Sequence, residues 1–512
     1  MKGKTILVLN MGMKSIRSII FDEAGNKLAV AARPIVTSLR GEMVTQTPAE
    51  WWSKACEVIR ESVSEVGDTF IDYLTVTASS SCLICVDKNG EELLPCMMVS
   101  DKRAKAESDI IEAVSSFLRV KEKTGLKMDA SLLLPKALWV KKHEANVYER
   151  TDKCLSPNDY LIMKFTGEYV TDYMNANKWH YDIEDREYPV SLLKEIEISL
   201  DLLPTVVSPG TCVGTVSKTA STETGLSTRT QVIVSSYDAI CSFVGSGVLK
   251  TGEASDVSGT VTVFRAASAQ KIRLDTGKIQ QLPYYEAGIH IVGGSNNLGG
   301  GLIEWVKQCY YQNENLPYEL MERDAAEASL GAGGVIFLPY LLGERAPIWD
   351  SNARGVFFGL ERMHTRKEMT RAVFESTGFI DLDMIGAIEE TGIAINKIRL
   401  SGGLARLNLI SQIKADITGR EVEVLSEFET TAAGAAMMAL YGKGIYASLQ
   451  EAAEHFVKVR MIIRPERKNY ETYQEFYQMY QETYKTLKPL FPKRMALTEK
   501  LYSRKKVKVE NL

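Results

Sequence analysis

The sequence predicts an α/β protein of two lobes. Its 512 residues run well beyond one ordinary hydrophobic core. Strand-like and helix-like segments alternate in both halves, the pattern of layered α/β units. A glycine turn between two apolar strands occurs once in each half. The first is Asn10-Met11-Gly12-Met13-Lys14-Ser15-Ile16-Arg17, between the apolar runs 6–9 and 16–21. The second is Asp256-Val257-Ser258-Gly259-Thr260-Val261-Thr262-Val263-Phe264. Glycine lets backbone N–H groups approach an oxyanion closely, so two such turns suggest a phosphate-bearing ligand gripped by two lobes.

The elements follow in order. Residues 1–40 read as strands, with turns at Gly12 and at Glu23-Ala24-Gly25-Asn26. Residues 48–66 read as a helix, because Trp51, Trp52, Ala55, Ile59 and Val63 fall at helical spacing. Residues 73–86 are strand-rich and lead through Asp87-Lys88-Asn89-Gly90 to a strand over 93–99. Residues 101–165 look mainly helical. Pro204, Pro209, Gly210 and Gly214 make 204–216 an irregular connection. A strand over 231–235 delivers Tyr237-Asp238 to a helix over 239–244. The glycine-rich run 245–252 is the best boundary. Strands resume at 254–266, and helices are expected at 299–312, 365–392, 405–418 and 430–441.

In the tail, Tyr470, Tyr473, Tyr477, Tyr480, Tyr484 and Leu487 recur at intervals of three and four, one face of a helix. That face is read as docked on the second lobe in preference to a dimer seam. The basic end, 500–508, reads as a solvated terminus. The expected division is 1–247, 248–445 and a helical extension, 446–512, packed on the second lobe.

Composition narrows the function. Hydrophobic residues make up 45% and charged residues 25%, as in ordinary globular proteins. The net charge of −4, from 61 basic and 65 acidic side chains, argues against a general affinity for nucleic acid. No apolar run approaches a membrane span, and the start does not read as a signal sequence. Eight cysteines in this length are too sparse for a disulfide scaffold. The expectation is a cytoplasmic protein with a small-molecule ligand, no nucleic acid, no membrane, and a homodimer left open. Cys82 and Cys85 have CxxC spacing, but strand residues three apart point to opposite faces. They are read as structural. The five histidines show no ligand pattern.

Phosphoryl transfer needs N–H groups around the phosphates, a metal to neutralise them, a base for the acceptor's proton, and exclusion of water. Gly12 and Gly259-Thr260 are candidates for the first. Asp238, between a strand and a helix, can accept a hydroxyl proton or cap the helix after it; the two roles are compatible. Ser401-Gly402-Gly403 opens a turn into a helix, which suits a ligand at the helix N-terminus or simply a tight connection.

An ordered set of landmarks then carries a resemblance. It begins with Gln46, Pro48 and Trp51-Trp52, then Asp101-Lys102-Arg103, then Lys136, Leu138 and Trp139. Phe165-Thr166-Gly167-Glu168, Val170-Thr171-Asp172 and Asn175-Ala176 follow. Next come Asp238 with the 245–247 segment, Gly259-Thr260, and the long block Phe337 to Pro347 with Gly343-Glu344-Arg345 inside it. Ser401-Gly402-Gly403, Ala415-Asp416 and Gly434-Ala435-Ala436 complete it. In this order the chain resembles the FGGY carbohydrate kinases along nearly its whole length.

The resemblance implies two actin-like (ribonuclease H-like) ATPase domains flanking a central cleft, and transfer of the ATP γ-phosphate to a sugar or polyol hydroxyl with Mg²⁺. It implies Asp238 as general base. It puts Gly12, Lys14 and Arg17 at the first phosphate loop, Gly259 and Thr260 at the second, and Gly300 and Glu304 along the nucleotide. Gly403, Leu407 and Asn408 fall beside the adenosine. Asp101 and Arg103, with Ser80 and Ser81 of the loop Thr77-Ala78-Ser79-Ser80-Ser81, fall on the sugar side. Asn10 and Asp238 fall at the metal. The Gly343-Glu344-Arg345 block is read as stabilising the second lobe, not as catalytic.

The chain departs from the family's pattern at the first loop. The usual Asp-x-Gly-Thr reads Asn10-Met11-Gly12-Met13, which loses a charged oxygen that hard cations prefer and a hydroxyl. One reading keeps catalysis, with metal held by Asp238, phosphates and water. Alternatively the chain is a weakened kinase or a pseudokinase that binds sugar or nucleotide. An engineered trapping substitution at Asn10 fits less well, because Met13 beside it points to natural divergence. The serine-rich sugar loop and Ala239 after Asp238 disfavour glycerol. Pentuloses, gluconate-like acids and other polyols stay open, with a weak gluconate hint in the wording of residues 343–350.

Overall fold

The computed structural model describes residues 3–120, 124, 126, 128–272, 277–283, 289–427 and 429–509. They pack as two units, Met1–Gly247 with Glu429–Val457, and Val248–Phe428 with Lys458–Leu512.

The first unit holds a six-stranded sheet in the order Cys212–Thr215, Gln231–Val234, Tyr73–Ala78, Thr5–Met11, Ser15–Asp22, Lys27–Pro34. Thr5–Met11 and Gln231–Val234 both run parallel to Tyr73–Ala78. Thr5–Met11 pairs antiparallel with Ser15–Asp22 through the predicted first hairpin. The central strands are buried on both faces; Ile6, Leu7, Val8 and Leu9 are fully inaccessible. This is why they read as continuous apolar runs instead of alternating ones. The helix Pro48–Glu65 buries Trp51, Ala55 and Ile59, as its spacing predicts.

The helix Thr430–Gly442 belongs to this unit, whereas the sequence-level division grouped it with the second lobe. Its partner is the helix Asp238–Gly245. A Cβ on Gly434 would meet the Cys241 carbonyl oxygen at 1.8 Å, and one on Gly245 would meet that of Thr430 at 1.9 Å. The two glycines let the backbones touch, a long-range contact that local periodicity does not register.

The second unit holds a seven-stranded sheet in the order Gln280–Pro283, His290–Ser295, Thr262–Ser268, Glu253–Ser258, Lys397–Gly402, Glu421–Leu425, Val459–Ile463. Glu253–Ser258 and Thr262–Ser268 form the predicted second hairpin. Glu253–Ser258 also runs parallel to Lys397–Gly402, with Ser258 beside Gly402. Helices fill Gly300–Tyr310, Arg366–Glu389 and Asn408–Thr418. The last begins three residues later than expected, because residues 403–406 form a separate 3-10 turn.

The tyrosine stripe lies on Arg467–Leu487 and docks on this unit. Tyr473 and Tyr480 are fully buried. Their hydroxyls are anchored: Tyr473 donates to Glu375 (2.8 Å), Tyr477 to Asp383 (2.7 Å) and Tyr484 to Asp350 (2.9 Å), and Tyr480 bonds Tyr340 (2.6 Å). Buried tyrosines need such partners. A helix continues over Leu490–Val509. Side chains from 502 onward, and with them most of the basic end, lie outside the described residues. Among the described residues, no helix is long and apolar enough to cross a membrane.

Cys82 and Cys85 enter different cores, with only Cys85 on the strand Ile84–Val86: Cys82 belongs to the core that holds Trp51 and Leu74, and Cys85 to the one that holds Leu133 and Cys154.

Candidate functional site

In the first unit, three parallel strands end together at Met11, Ala78 and Val234. The carboxyl edge of a parallel sheet is where α/β proteins place ligands. Asn10 lies beside Thr77 in register, and the chain past Val234 delivers Asp238 to the first turn of its helix. Asp238 is half-buried. Its Oδ1 accepts the Ala239 amide (2.7 Å) and its Oδ2 the Ser79 hydroxyl (3.1 Å). The cap position itself falls to Tyr237, which makes no side-chain cap bond, so Asp238 is the first helical residue and not the N-cap that the sequence allowed.

Ser79 is a site residue that the sequence reading named only as part of a loop. No local pattern marked it: the strand ends at Ala78, and Ser79 meets Asp238 across 159 residues. The segment before Asp238 is braced from three sides. Ser236 donates its hydroxyl to Asp172 (2.9 Å), Asn158 donates to the Ser236 carbonyl (3.1 Å), and Ser235 donates to the Val76 carbonyl (2.7 Å). Asp172 also caps the helix Tyr173–Ala176 through the amides of Met174 and Asn175. Burial pushes its carboxyl up to about 6, the expected direction for a buried acid.

Ser81 sits in the left-handed region at φ 59°, and its carbonyl accepts the Lys136 ammonium at 2.5 Å. Lys136 also donates to the Met98 carbonyl (2.8 Å), so one buried lysine ties the serine loop to the segment leading to Asp101. Its burial pushes the ammonium down to about 8. Asp101 is completely buried. It takes Arg103 through two nitrogens, at 2.9 and 2.7 Å, and the Val44 amide at 2.8 Å. Arg103 also lies over the Trp139 ring, 4.9 Å from its centroid. Asp101 thus orients Arg103 and is not itself presented to a ligand.

The first turn is held by side chains. Gly12 donates to the Ser15 carbonyl (3.0 Å), and Gln46 donates to the Met13 carbonyl (2.9 Å) while accepting Trp51 Nε1 (2.9 Å). Lys14 is exposed. Arg17 pairs with Glu429.

In the second unit the turn at Gly259-Thr260 is exposed. The start of the Gly300–Tyr310 helix packs against it: Gly300 donates to the Gly259 carbonyl (2.7 Å), and Gly299 and Gly301 to that of Thr260 (3.0 and 3.1 Å). The Gly300 amide is therefore already committed to the turn. Glu304, one turn along, takes the Tyr318 hydroxyl and Lys307. Gly402 (φ 85°) and Gly403 lie under Ser258, and Leu407 is buried while Asn408 is exposed and accepts Arg460 (3.2 Å). The Gly343-Glu344-Arg345 block braces the approach to Gly299: Glu344 accepts the Asn297 amide (2.7 Å) and Arg345 donates to the Asn296 carbonyl (2.8 Å).

The glycines separate into two kinds. Most have a left-handed φ or a neighbour where a Cβ would go. Among the described residues, Gly12, Gly259, Gly386 and Gly403 have neither; the nearest atoms to a Cβ lie at 3.9, 3.8 and 3.8 Å for Gly12, Gly259 and Gly403. Gly386 is on a helix. The other three are among the four glycines read from the sequence as facing the nucleotide; the fourth, Gly300, is crowded, since a Cβ there would meet the Gly259 carbonyl oxygen at 2.7 Å. The protein's own packing does not require glycine at the other three, so their effect is to keep space open at three turns.

Magnesium usually takes one or two carboxylates plus substrate phosphates and keeps several waters. Among the described residues, no group of three or more His, Cys, Asp or Glu side chains could cage a metal. The first unit offers one carboxylate, Asp238, and one neutral amide, Asn10. Two strand spacings, roughly 10 Å, separate Asn10 from the strand leading to Asp238. That donor set fits a cation held largely through water and phosphates, and does not fit an all-protein site.

A two-unit, actin-like α/β chain with an open glycine turn in each unit and a carboxylate at a sheet's carboxyl edge belongs to the class that handles phosphate-bearing ligands. Comparison with known proteins makes this specific. The FGGY N-terminal domain matches residues 5–245 and the FGGY C-terminal domain residues 254–442; the chain belongs to the FGGY family of carbohydrate kinases. It is 27% identical over 484 residues to a xylulose kinase of Bacillus subtilis, covering 92% of this chain and 95% of that one. It is 29% identical over 474 residues to a glycerol kinase of Clostridium beijerinckii, covering 88% and 92%. Among solved structures it resembles a xylulose kinase from Rhodospirillum rubrum (TM-score 0.87, 26% identity, 95% and 100% covered). A gluconate kinase from Lactobacillus acidophilus has the same fold (TM-score 0.87, 24% identity, 96% and 99% covered). Members of the family are phosphotransferases with an alcohol group as acceptor.

Proposed function

We propose that the chain transfers the γ-phosphate of ATP to a hydroxyl of a sugar, sugar acid or polyol, with Asp238 as general base. The observation that carries this is the setting of Asp238. It is half-buried at the carboxyl edge of three parallel strands, and both its oxygens are oriented by donors, Ala239 N–H and Ser79 O–H. A carboxylate oriented by donors is placed to take a proton from a hydroxyl beside it. The acceptor hydroxyl passes its proton to Asp238 as its oxygen forms a bond to the γ-phosphorus. The bond from that phosphorus to the β–γ bridging oxygen breaks, and ADP leaves. Arg103, held by Asp101 and Trp139, and the serines at 79–81 would orient the sugar. The uncrowded Gly12, Gly259 and Gly403 would leave room for nucleotide phosphates, with Thr260 in the same turn as Gly259. Asp238 and Asn10 would hold Mg²⁺, which neutralises phosphate charge when bound.

Similarity to xylulose and gluconate kinases supports pentuloses and aldonates as the first substrates to try. The test is ATP consumption across pentuloses, aldonates and polyols with Mg²⁺. Turnover with one class supports the kinase. Asn10 favours a second reading, a sugar- or nucleotide-binding protein of weakened catalysis. Binding without turnover across the whole panel would select that reading.

A further inference from the structure

Lys414 is almost completely buried and joins three elements of the second unit. It stands on the helix Asn408–Thr418 and donates to Asp256 Oδ2 (2.5 Å) and Asp381 Oδ2 (2.6 Å). Asp256 lies on Glu253–Ser258, the strand leading into the Gly259–Thr260 turn, and Asp381 lies on Arg366–Glu389. Both carboxyls are fully buried. Burial, and then the Asp256 charge, raise Asp381 well above the usual carboxylate range. Lys414 and its two carboxyl partners thus sit wholly inside the core. Such an ion pair inside a core is not in itself a source of stability, which raises the question of what it positions.

The other oxygen of Asp256 supplies the answer. Ser258, two residues on and on the same strand face, donates to Asp256 Oδ1 (2.6 Å) and lies 3.1 Å from the Thr262 hydroxyl. Ser258 gives its single hydroxyl proton to Asp256, so in the contact with Thr262 it is Thr262 that donates. Ser258 and Thr262 are the paired residues that close the turn. A continuous chain, Lys414–Asp256–Ser258–Thr262, therefore runs from a buried cation to both ends of Gly259-Val261.

We propose that this chain of hydrogen bonds is a positioning unit that fixes the second turn for the nucleotide phosphates; Lys414, Asp256 and Ser258 act through the turn and do not touch ligand. The proposal rests on the reading of that turn as a nucleotide site. Its test is the affinity for ADP with Mg²⁺, measured by calorimetry, alongside the melting temperature. Ser258→Ala breaks the link to the turn and leaves the ion pair intact. The expected result is about tenfold weaker ADP binding, by analogy with the loss of one charge-assisted hydrogen bond, with melting shifted by only a few degrees. Asp381→Asn, which touches Lys414 but not the turn, is expected to stay within about twofold of the parent, less than the tenfold that one such bond is worth. Unchanged ADP affinity in Ser258→Ala, or equal weakening in Asp381→Asn, would overturn the proposal by showing a merely structural network. Gly259→Val separates the two levels. If it leaves ADP binding intact, the nucleotide reading of the turn fails and the proposal falls with it. If it weakens binding while Ser258→Ala does not, only the proposal fails.

Discussion

The two hairpins are the same device built in two ways. Each closes a glycine turn between antiparallel strands, and each keeps an uncrowded glycine, Gly12 or Gly259. The second is locked from below by a buried ion pair and from the side by three amides of a helix start. The first is held by a neutral amide, Gln46, on the Met13 carbonyl. The nearby carboxylate that braces Asp238's segment, Asp172, has backbone amides and a hydroxyl as its named partners. A buried ion pair thus organises the second turn, while the first is held by a neutral amide and a partly exposed pair, Arg17–Glu429, with a neutral side chain at Asn10. The difference teaches that the same turn shape can be held with a buried charge or without one.

The largest expected effect breaks the second hairpin. Gly402→Val puts a branched side chain at φ 85°, where even a Cβ would sit 2.5 Å from the Ser258 carbonyl oxygen. The expected cost is on the order of 3 kcal/mol or more, read as a lower midpoint in chemical denaturation together with lost ADP binding. Gly403→Ala, one residue on, is expected to fold normally, since its nearest neighbour lies at 3.8 Å. Equal destabilisation by both would refute the division of the glycines into two kinds.

Asp172→Asn tests the neutral brace through pH. The Asp172 carboxyl titrates near 3.8 when unfolded and at about 6 when folded, so the folded chain holds the proton more tightly. The native protein therefore loses stability as pH rises from about 4 to about 6, by roughly 3 kcal/mol at most for a shift of about two units. Asparagine keeps an acceptor for the cap and for Ser236 but has no such proton. The melting temperature of the variant, relative to the parent, is expected to climb across that window. A flat difference would mean that Asp172 is not the buried acid described.

The smallest effect sharpens the contrast in charge. Asn10→Asp is expected to lower the Mg²⁺ concentration needed for half-maximal turnover by about tenfold, since hard cations favour charged oxygen. An unchanged Mg²⁺ dependence in an active enzyme would place the metal elsewhere.

Much of this was legible in the sequence, and the reasons are physical. Both hairpins, the tyrosine face and the strand-to-helix delivery of Asp238 are local patterns, set by spacing and turn chemistry. Asp101 looked like a sugar ligand because sequence shows residue type and not burial; in the structure Arg103 consumes it. Gly300 was expected along the nucleotide; in the structure its amide serves the neighbouring turn. Ser79, Asn158 and the Lys414–Asp256 pair became visible only when residues tens to hundreds apart in the chain were brought together. The grouping of the Gly434 helix with the first unit likewise rests on a backbone contact across about 190 residues, where loop entropy gives no local signal.

The central claim is that Asp238 removes the acceptor's proton. The direct measurement is single-turnover phosphoryl transfer by Asp238→Asn to whichever sugar supports turnover, with sugar affinity measured on the same protein. General-base catalysis predicts transfer slowed by roughly 10²- to 10⁴-fold and sugar affinity within a few-fold of the parent. Transfer at the parent rate, with sugar still bound, would contradict the account.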